Sequence, residues 1–331
     1  MAVVRAPIVD GRVATEAERH ATVALVYTSD GEVWCTGTLV APRVVVTAAH
    51  CVVEQDLNTD AVTRRMEASE IVAIAGPVEA RDATGAQVHA IERIALHPGF
   101  PNGTPSDDPT GAGRYDDIAV LVLETPVTEL TPALIPTADA ARASLVPETP
   151  LTITGYGTVD ADGAGGGVLY IAESPFVRLV DLEIVAGGAG FPDTCPGDSG
   201  GPAYLLGGGV AALVGVTSRG SANVDSTCGE GGLYTFAPAY RDWIVRSANG
   251  LYSPDAVVPP PPEEACDPAT EDCGEPQPEV ICDPAVEACE AACDPETGDC
   301  DATTSDTGCS GASGAFWFTA LFALGRGRRR L

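Results

Sequence analysis

Three stretches carry side chains that could together perform acyl transfer: Thr47-Ala48-Ala49-His50-Cys51, Asp117-Ile118-Ala119-Val120-Leu121 and Gly197-Asp198-Ser199-Gly200-Gly201-Pro202. A serine hydroxyl is a poor nucleophile near neutral pH. It needs a neighbouring base, a group that orients the base, and donors for the oxyanion that develops on the substrate. The first stretch supplies an imidazole, the second a carboxylate heading an apolar run, and the third a hydroxyl among glycines. Asp116 rivals Asp117 as the orienting group. Singly, each stretch is ordinary: Ser-Gly-Gly is usually a turn, and a His after two alanines usually packs. Their joint presence is what points to chemistry.

Up to about residue 248 the chain reads as short apolar runs such as Ala21 to Tyr27, Thr38 to Val40, Arg43 to Val46, Ile118 to Leu123, Leu151 to Thr154 and Ala211 to Val216. They are rich in Val, Ile, Leu and Thr and separated by Gly, Pro, Asp and Asn, the pattern of an all-β domain. One long helix is expected near the end, around Tyr240 to Ala248, and another is possible over Asp139 to Leu145. No βαβ order is visible.

The 331 residues suit one large domain with an appendage, and 45% apolar residues are enough for a sizeable core. The net charge is −29, with 18 basic residues, all Arg. Such a surface repels nucleic acid and anionic lipid, so no nucleic-acid partner is expected. Eleven cysteines point to an oxidising compartment and leave one without an internal partner. Composition shifts at Pro259 to Pro262, which can form neither helix nor central strand.

The three stretches resemble the TAAHC, DIAxL and GDSGGP motifs of the chymotrypsin/trypsin family, in that family's chain order of His, Asp and Ser. The resemblance covers about Ile8 to Ala248 and implies two antiparallel six-stranded β-barrels, with a C-terminal helix and the active site in the cleft between them. By match, His50 is the general base, Asp117 rather than Asp116 orients it, and Ser199 is the nucleophile. The N–H groups of Gly197 and Ser199 form the oxyanion hole, where a side chain at residue 197 would hinder the turn. Cys35 with Cys51 and Cys195 with Cys228 match family disulfides. No cofactor or metal is implied. His20 and His89 are read as structural, and so is His97, in a turn resembling one that recurs in the family.

The same match places Asp193 at the floor of the specificity pocket, with Ser218, Gly220 and Gly232 as walls. A buried carboxylate calls for a cation, so cleavage after Arg or Lys of protein or peptide substrates is expected. Four departures stand out. Arg219 occupies a place usually aromatic and is a potential salt-bridge partner of Asp193 or of acids in the insert Ser221 to Thr227. Pro196 replaces a long polar residue. A disulfide that commonly braces the pocket is missing. Pro101 to Arg114 forms a long loop expected to overhang the cleft. A catalytically weak adhesion or scaffolding module on the same fold is the competing reading.

Ile8-Val9-Asp10-Gly11 resembles the family's mature terminus, whose freed amine pairs with Asp198, and residues 1 to 7 then read as a propeptide remnant. Pro7 precedes the cut, which implies a separate activating protease. Residues 249 to 308 read as a disordered, acidic, Cys-rich stalk. It holds three units, Cys266 to Cys273, Cys282 to Cys289 and Cys293 to Cys300, each with six residues between its cysteines. A charge-extended chain is the simpler reading, with calcium binding the alternative.

Residues 309 to 331 join Cys309, the apolar Ala315 to Leu324 and a terminal Arg cluster. The apolar part is short for a membrane span, which takes about 20 residues. This tail resembles the MYXO-CTERM sorting tails of myxobacterial surface proteins, implying a sorting and processing system with Cys309 as the anchor. A secreted or surface-anchored protein needs an export signal, so the true start is expected upstream of Met1. No Arg lies between Arg246 and Arg326, so an Arg-specific enzyme would spare its own tether.

Overall fold

The computed structural model describes residues 8–56, 59, 61–158, 166–222 and 228–254. The proposed remnant at 1 to 7, the stalk from residue 255 onward, Cys309 and the Arg-rich tail lie outside the described residues. Of the stretch read as stalk, residues 249–254 are described, and Tyr252 is buried in the core shared by both barrels.

Six antiparallel strands close the first barrel, in the order Ala119–Leu123, Val44–Thr47, Val33–Ala41, Thr22–Tyr27, Ile71–Ala75 and Val88–Leu96, with the last pairing back onto the first. The runs are dense in β-branched residues, which suit the pleated, half-buried surface of a strand. Val44, Val45 and Val46 are fully buried, as are Leu39 and Leu121. The second barrel runs Tyr170–Val180, Pro150–Gly155, Pro202–Gly207, Val210–Gly220, Gly232–Phe236 and Glu183–Ala186. It closes because Tyr170–Val180 pairs with Pro150–Gly155 through its first half and with Glu183–Ala186 through its second. Closure removes the unpaired edges that an open sheet would expose. The short strand Arg12–Val13 joins the outside of Tyr170–Val180.

The expected helices appear as short pieces. Ala138–Ser144 starts at Thr137, whose side chain accepts the Ala140 N–H at 3.3 Å. Arg241–Ser247 follows a 3-10 turn over Ala237–Tyr240, with Pro238 at its start. Ile244 packs this C-terminal helix into a core shared by both barrels, together with Leu39, Leu121, Tyr204 and Val216. Ile8 is fully buried in the core of the second barrel beside Ala141, Leu151 and Tyr234. Among the described residues, no helix is long and apolar enough to cross a membrane.

Candidate active site

Strand register brings the first two candidate residues together. Thr47 pairs with Ala119, so the chain leaving one strand towards His50 passes the chain entering the other from Asp117. His50 lies in the 3-10 turn Ala49–Val52, which the Cys35–Cys51 disulfide ties to the neighbouring strand. Its Nδ1 is 2.8 Å from Asp117 Oδ2, and its backbone N–H donates to Oδ1 at 3.0 Å. The carboxylate thus fixes both the ring and the turn that carries it. Asp116 points elsewhere. It takes a left-handed φ of 53° and accepts from Tyr240 Oη at 2.7 Å and Arg114 Nε at 3.1 Å.

Two further groups hold Asp117. The Ser218 hydroxyl donates to Oδ2 at 2.6 Å, and the Thr235 hydroxyl donates to the Asp117 carbonyl at 2.9 Å. Burial disfavours the Asp117 charge. The charge of His50 and the hydrogen bonds from His50 and Ser218 outweigh it and keep the carboxyl below its usual range. In the same way burial pulls the His50 imidazole down, while the charge and hydrogen bond of Asp117 more than restore it, against a smaller opposing effect of Arg219. The net direction is upward.

Ser199 sits on a turn that only glycines can make. Gly197 and Gly200 have φ of 92° and 79°, and a Cβ on Gly197 would come within 2.7 Å of Gly157 Cα. Thr36, from the first barrel, clamps this turn of the second: its N–H donates to the Ser199 carbonyl at 2.8 Å and its hydroxyl to the Gly197 carbonyl at 2.9 Å. No motif in the sequence singled out Thr36. Ser199, Gly197 and His50 line one cleft of about 370 Å³, with Trp34, Gly157 and Pro196 around them.

Beneath the turn, Asp198 is fully buried and accepts the N–H groups of Gly157 and Cys195, each at 2.9 Å. Burial outweighs these donors and pushes its carboxyl up to about 7. Val9 forms an antiparallel bridge with Asp193, so the segment starting at Ile8 runs beside this region.

Asp193 is 2% exposed. Its carboxylate accepts the N–H groups of Thr194, Gly229 and Gly231 at 2.9, 2.8 and 3.1 Å. Burial still raises it, because the amides offset only part of the desolvation. Gly232 faces it closely: an added Cβ would lie 3.1 Å from Asp193 Oδ1. Gly220 pairs with Gly232 across the neighbouring strands. Cys195–Cys228 closes the loop around this carboxylate.

The expectation for Arg219 is corrected. Among the described residues its ion-pair partner is not Asp193 but Glu183, a buried residue that no motif marked; the acid of the insert, Asp225, lies outside the described residues. Their bidentate contacts are 2.6 and 2.9 Å. Burial pushes Glu183 up, and Arg219 with the Gly113 N–H partly reverses this. The loop ahead of Asp117 is tied to the second barrel through Arg178 on Asp108 and through the Gly113 N–H on Glu183 Oε2. His97 is wedged edge-on against Tyr240 and Trp243, as a structural residue would be. The one close group of potential metal ligands among the described residues is Cys35, His50 and Cys51. Its two sulfurs are bonded to each other and offer no thiolate.

A trypsin family model matches residues 8–244. The chain belongs to the trypsin family. It is 32% identical over 255 residues to a trypsin of Saccharopolyspora erythraea, covering 73% of this chain and 98% of that protein. It is 31% identical over 228 residues to a trypsin of Phaedon cochleariae, covering 64% of this chain and 77% of that one. Membership makes the protein a serine protease hydrolase, with protein or peptide substrates, and the two disulfides among the described residues fit an oxidising, extracellular setting.

Proposed function

We propose that this trypsin-family protein is an endopeptidase that cleaves after Arg or Lys by a Ser199–His50–Asp117 mechanism, exported and held at the cell surface by its C-terminal tail. The observation that carries the catalytic reading is His50 Nδ1 at 2.8 Å from Asp117, with the same imidazole lining the cleft that holds Ser199. With Nδ1–H committed to Asp117, Nε2 is the basic nitrogen. It takes the proton of Ser199 Oγ as the oxygen attacks the scissile carbonyl. The N–H groups of Gly197 and Ser199 stabilise the oxyanion. On collapse His50 gives that proton to the leaving amine, and water repeats the sequence to release the acid and restore Ser199. Asp193 supports the choice of a cationic side chain, since it is a buried carboxylate that amides satisfy only in part.

A fluorophosphonate probe applied to the surface-bound form, with its termini mapped by mass spectrometry in the same sample, tests this reading. Labelling on Ser199, a start at Ile8 and an end near Cys309 are expected. A processed form that takes no label would favour the adhesion or scaffolding module, and a retained Arg-rich tail would sink the anchoring.

Activation by release of Ile8 is part of the reading. An ammonium freed there would give buried Asp198 a counter-charge and order the oxyanion turn. Without it, the carboxyl sits near 7 against its ordinary 3.8. An acid raised on folding binds its proton more tightly in the native state, so its contribution to stability is largest at low pH and declines as pH rises through this window. Scanning calorimetry of the uncut chain and of Asp198→Asn, from pH 4 to 8, isolates this contribution. The uncut chain should lose stability relative to the variant as pH rises, and a chain starting at Ile8 should lose less. Parallel curves for all three would contradict the pairing.

A further inference from the structure

Arg219 stands beside the catalytic pair where the family usually carries an aromatic ring, and the structure immobilises it. Glu183, 1% exposed, grips both terminal nitrogens, Nη2 also donates to the Gly111 carbonyl at 2.9 Å, and the guanidinium carbon lies 3.7 Å over the Tyr115 ring. Nη1 has a second acceptor, the Ser218 hydroxyl oxygen at 3.2 Å. A serine hydroxyl has one proton. With Arg219 donating to its oxygen, that proton is directed to Asp117 Oδ2, at 2.6 Å. The result is a continuous path from Glu183 through Arg219, Ser218 and Asp117 to the His50 ring.

We propose that Arg219, held by Glu183, is a positioning residue that acts through the Ser218 hydroxyl to fix the Asp117–His50 pair, and is not a cation that binds substrate. A guanidinium already engaged by a carboxylate, a carbonyl, a hydroxyl and an aromatic face is poorly placed to take a substrate carboxylate as well. Charge-assisted donation to Ser218 strengthens the bond that Ser218 makes in turn. Among the described residues the charged groups around His50 are few. Asp117 holds the ring, and Arg219 approaches from Val210–Gly220 with Glu183 behind it. Asp116 and Arg114 are turned towards each other and Tyr240, and Asp198 is enclosed under the Ser199 turn. Removing Arg219 takes away a cation and leaves the Glu183 carboxylate facing the pair. Both changes favour protonated His50.

The inference rests on the protease reading for its kinetic consequences, so its test includes a readout that needs no turnover: the titration of the His50 ring by NMR. Arg219→Gln should move that titration to higher pH. With Arg peptide substrates it should carry the acid limb of kcat/KM the same way and lower kcat roughly tenfold with KM nearly unchanged, a size usual for residues sharing one hydrogen-bond network. Arg219→Lys keeps the charge without the fork and should recover part of both effects. Arg219→Gln with Glu183→Gln removes both charges of the pair, so that Glu183 is not left buried without its counter-ion, and guards against misfolding; it should still lower kcat. In a Ser218→Ala background, Arg219→Gln should add little further loss of kcat.

An unmoved His50 titration in Arg219→Gln would overturn the proposal. So would losses that simply add in the Ser218→Ala background, or an effect confined to KM for peptides with acidic residues. A wild-type protein that takes no fluorophosphonate, with the His50 titration still moved to higher pH in Arg219→Gln, would sink the protease reading and leave the positioning role standing.

Discussion

Asp117→Asn should leave a folded protein whose kcat falls about 10⁴-fold, the scale on which the template Ser-His-Asp triad responds to this change. Three donors converge on the native carboxylate: the His50 N–H on Oδ1, and His50 Nδ1 with the Ser218 hydroxyl on Oδ2. An amide has one oxygen and one NH₂ group. If the NH₂ takes the Oδ1 position it faces the backbone N–H of His50. If it takes the Oδ2 position it forces the ring into the tautomer whose protonated nitrogen faces Ser199. Either way the general base is lost or displaced. Asp116→Asn is the control, since its carboxylate serves Tyr240 and Arg114, and it should keep most of the activity. Steady-state assays on an Arg peptide decide. Comparable losses in the two variants would mean that the orienting role is wrongly assigned.

Asp193→Ser should lower kcat/KM for Arg peptides by roughly 10² to 10⁴, because removing one partner of a buried ion pair costs about 3–5 kcal/mol. Peptides with Phe before the cut should change far less. The amides around Asp193 limit the structural damage, since Thr194, Gly229 and Gly231 lie next to space that the shorter Ser and a water can fill. Equal losses on both peptide classes, or a wild type that prefers Phe, would remove the specificity assigned to this carboxylate.

How much of this was legible in the sequence depends on distance along the chain. The candidate triad stood out because each member sits in a short contiguous motif. The strands were visible because Val, Ile and Thr cluster between turn residues, as in Val44–Thr47 and Pro150–Gly155. Barrel closure was not visible, since it depends on Tyr170–Val180 switching partners midway along its length. The resemblance supplied it instead. Glu183 and Arg219 are 36 positions apart, and nothing local marks either as the other's counter-ion. Ser218 was read as a pocket wall, yet its hydroxyl serves Asp117, a direction set by side-chain rotation rather than by residue type. Thr36 looked like one more strand threonine because the bonds that tie it to the nucleophile's turn and to the Tyr156 N–H are with residues more than a hundred positions away.

Thr36 has a wider consequence. One residue of the first barrel grips the nucleophile's turn in the second, so swinging the two halves apart like jaws would break both of its bonds to that turn and carry the serine away from its base. A bulky partner therefore gains no entry by prising the molecule open. Under the proposed endopeptidase activity, cutting should then be confined to extended, unwound stretches that thread in from outside, and a compact domain without loose ends or long loops should emerge whole from an incubation that shreds its denatured counterpart.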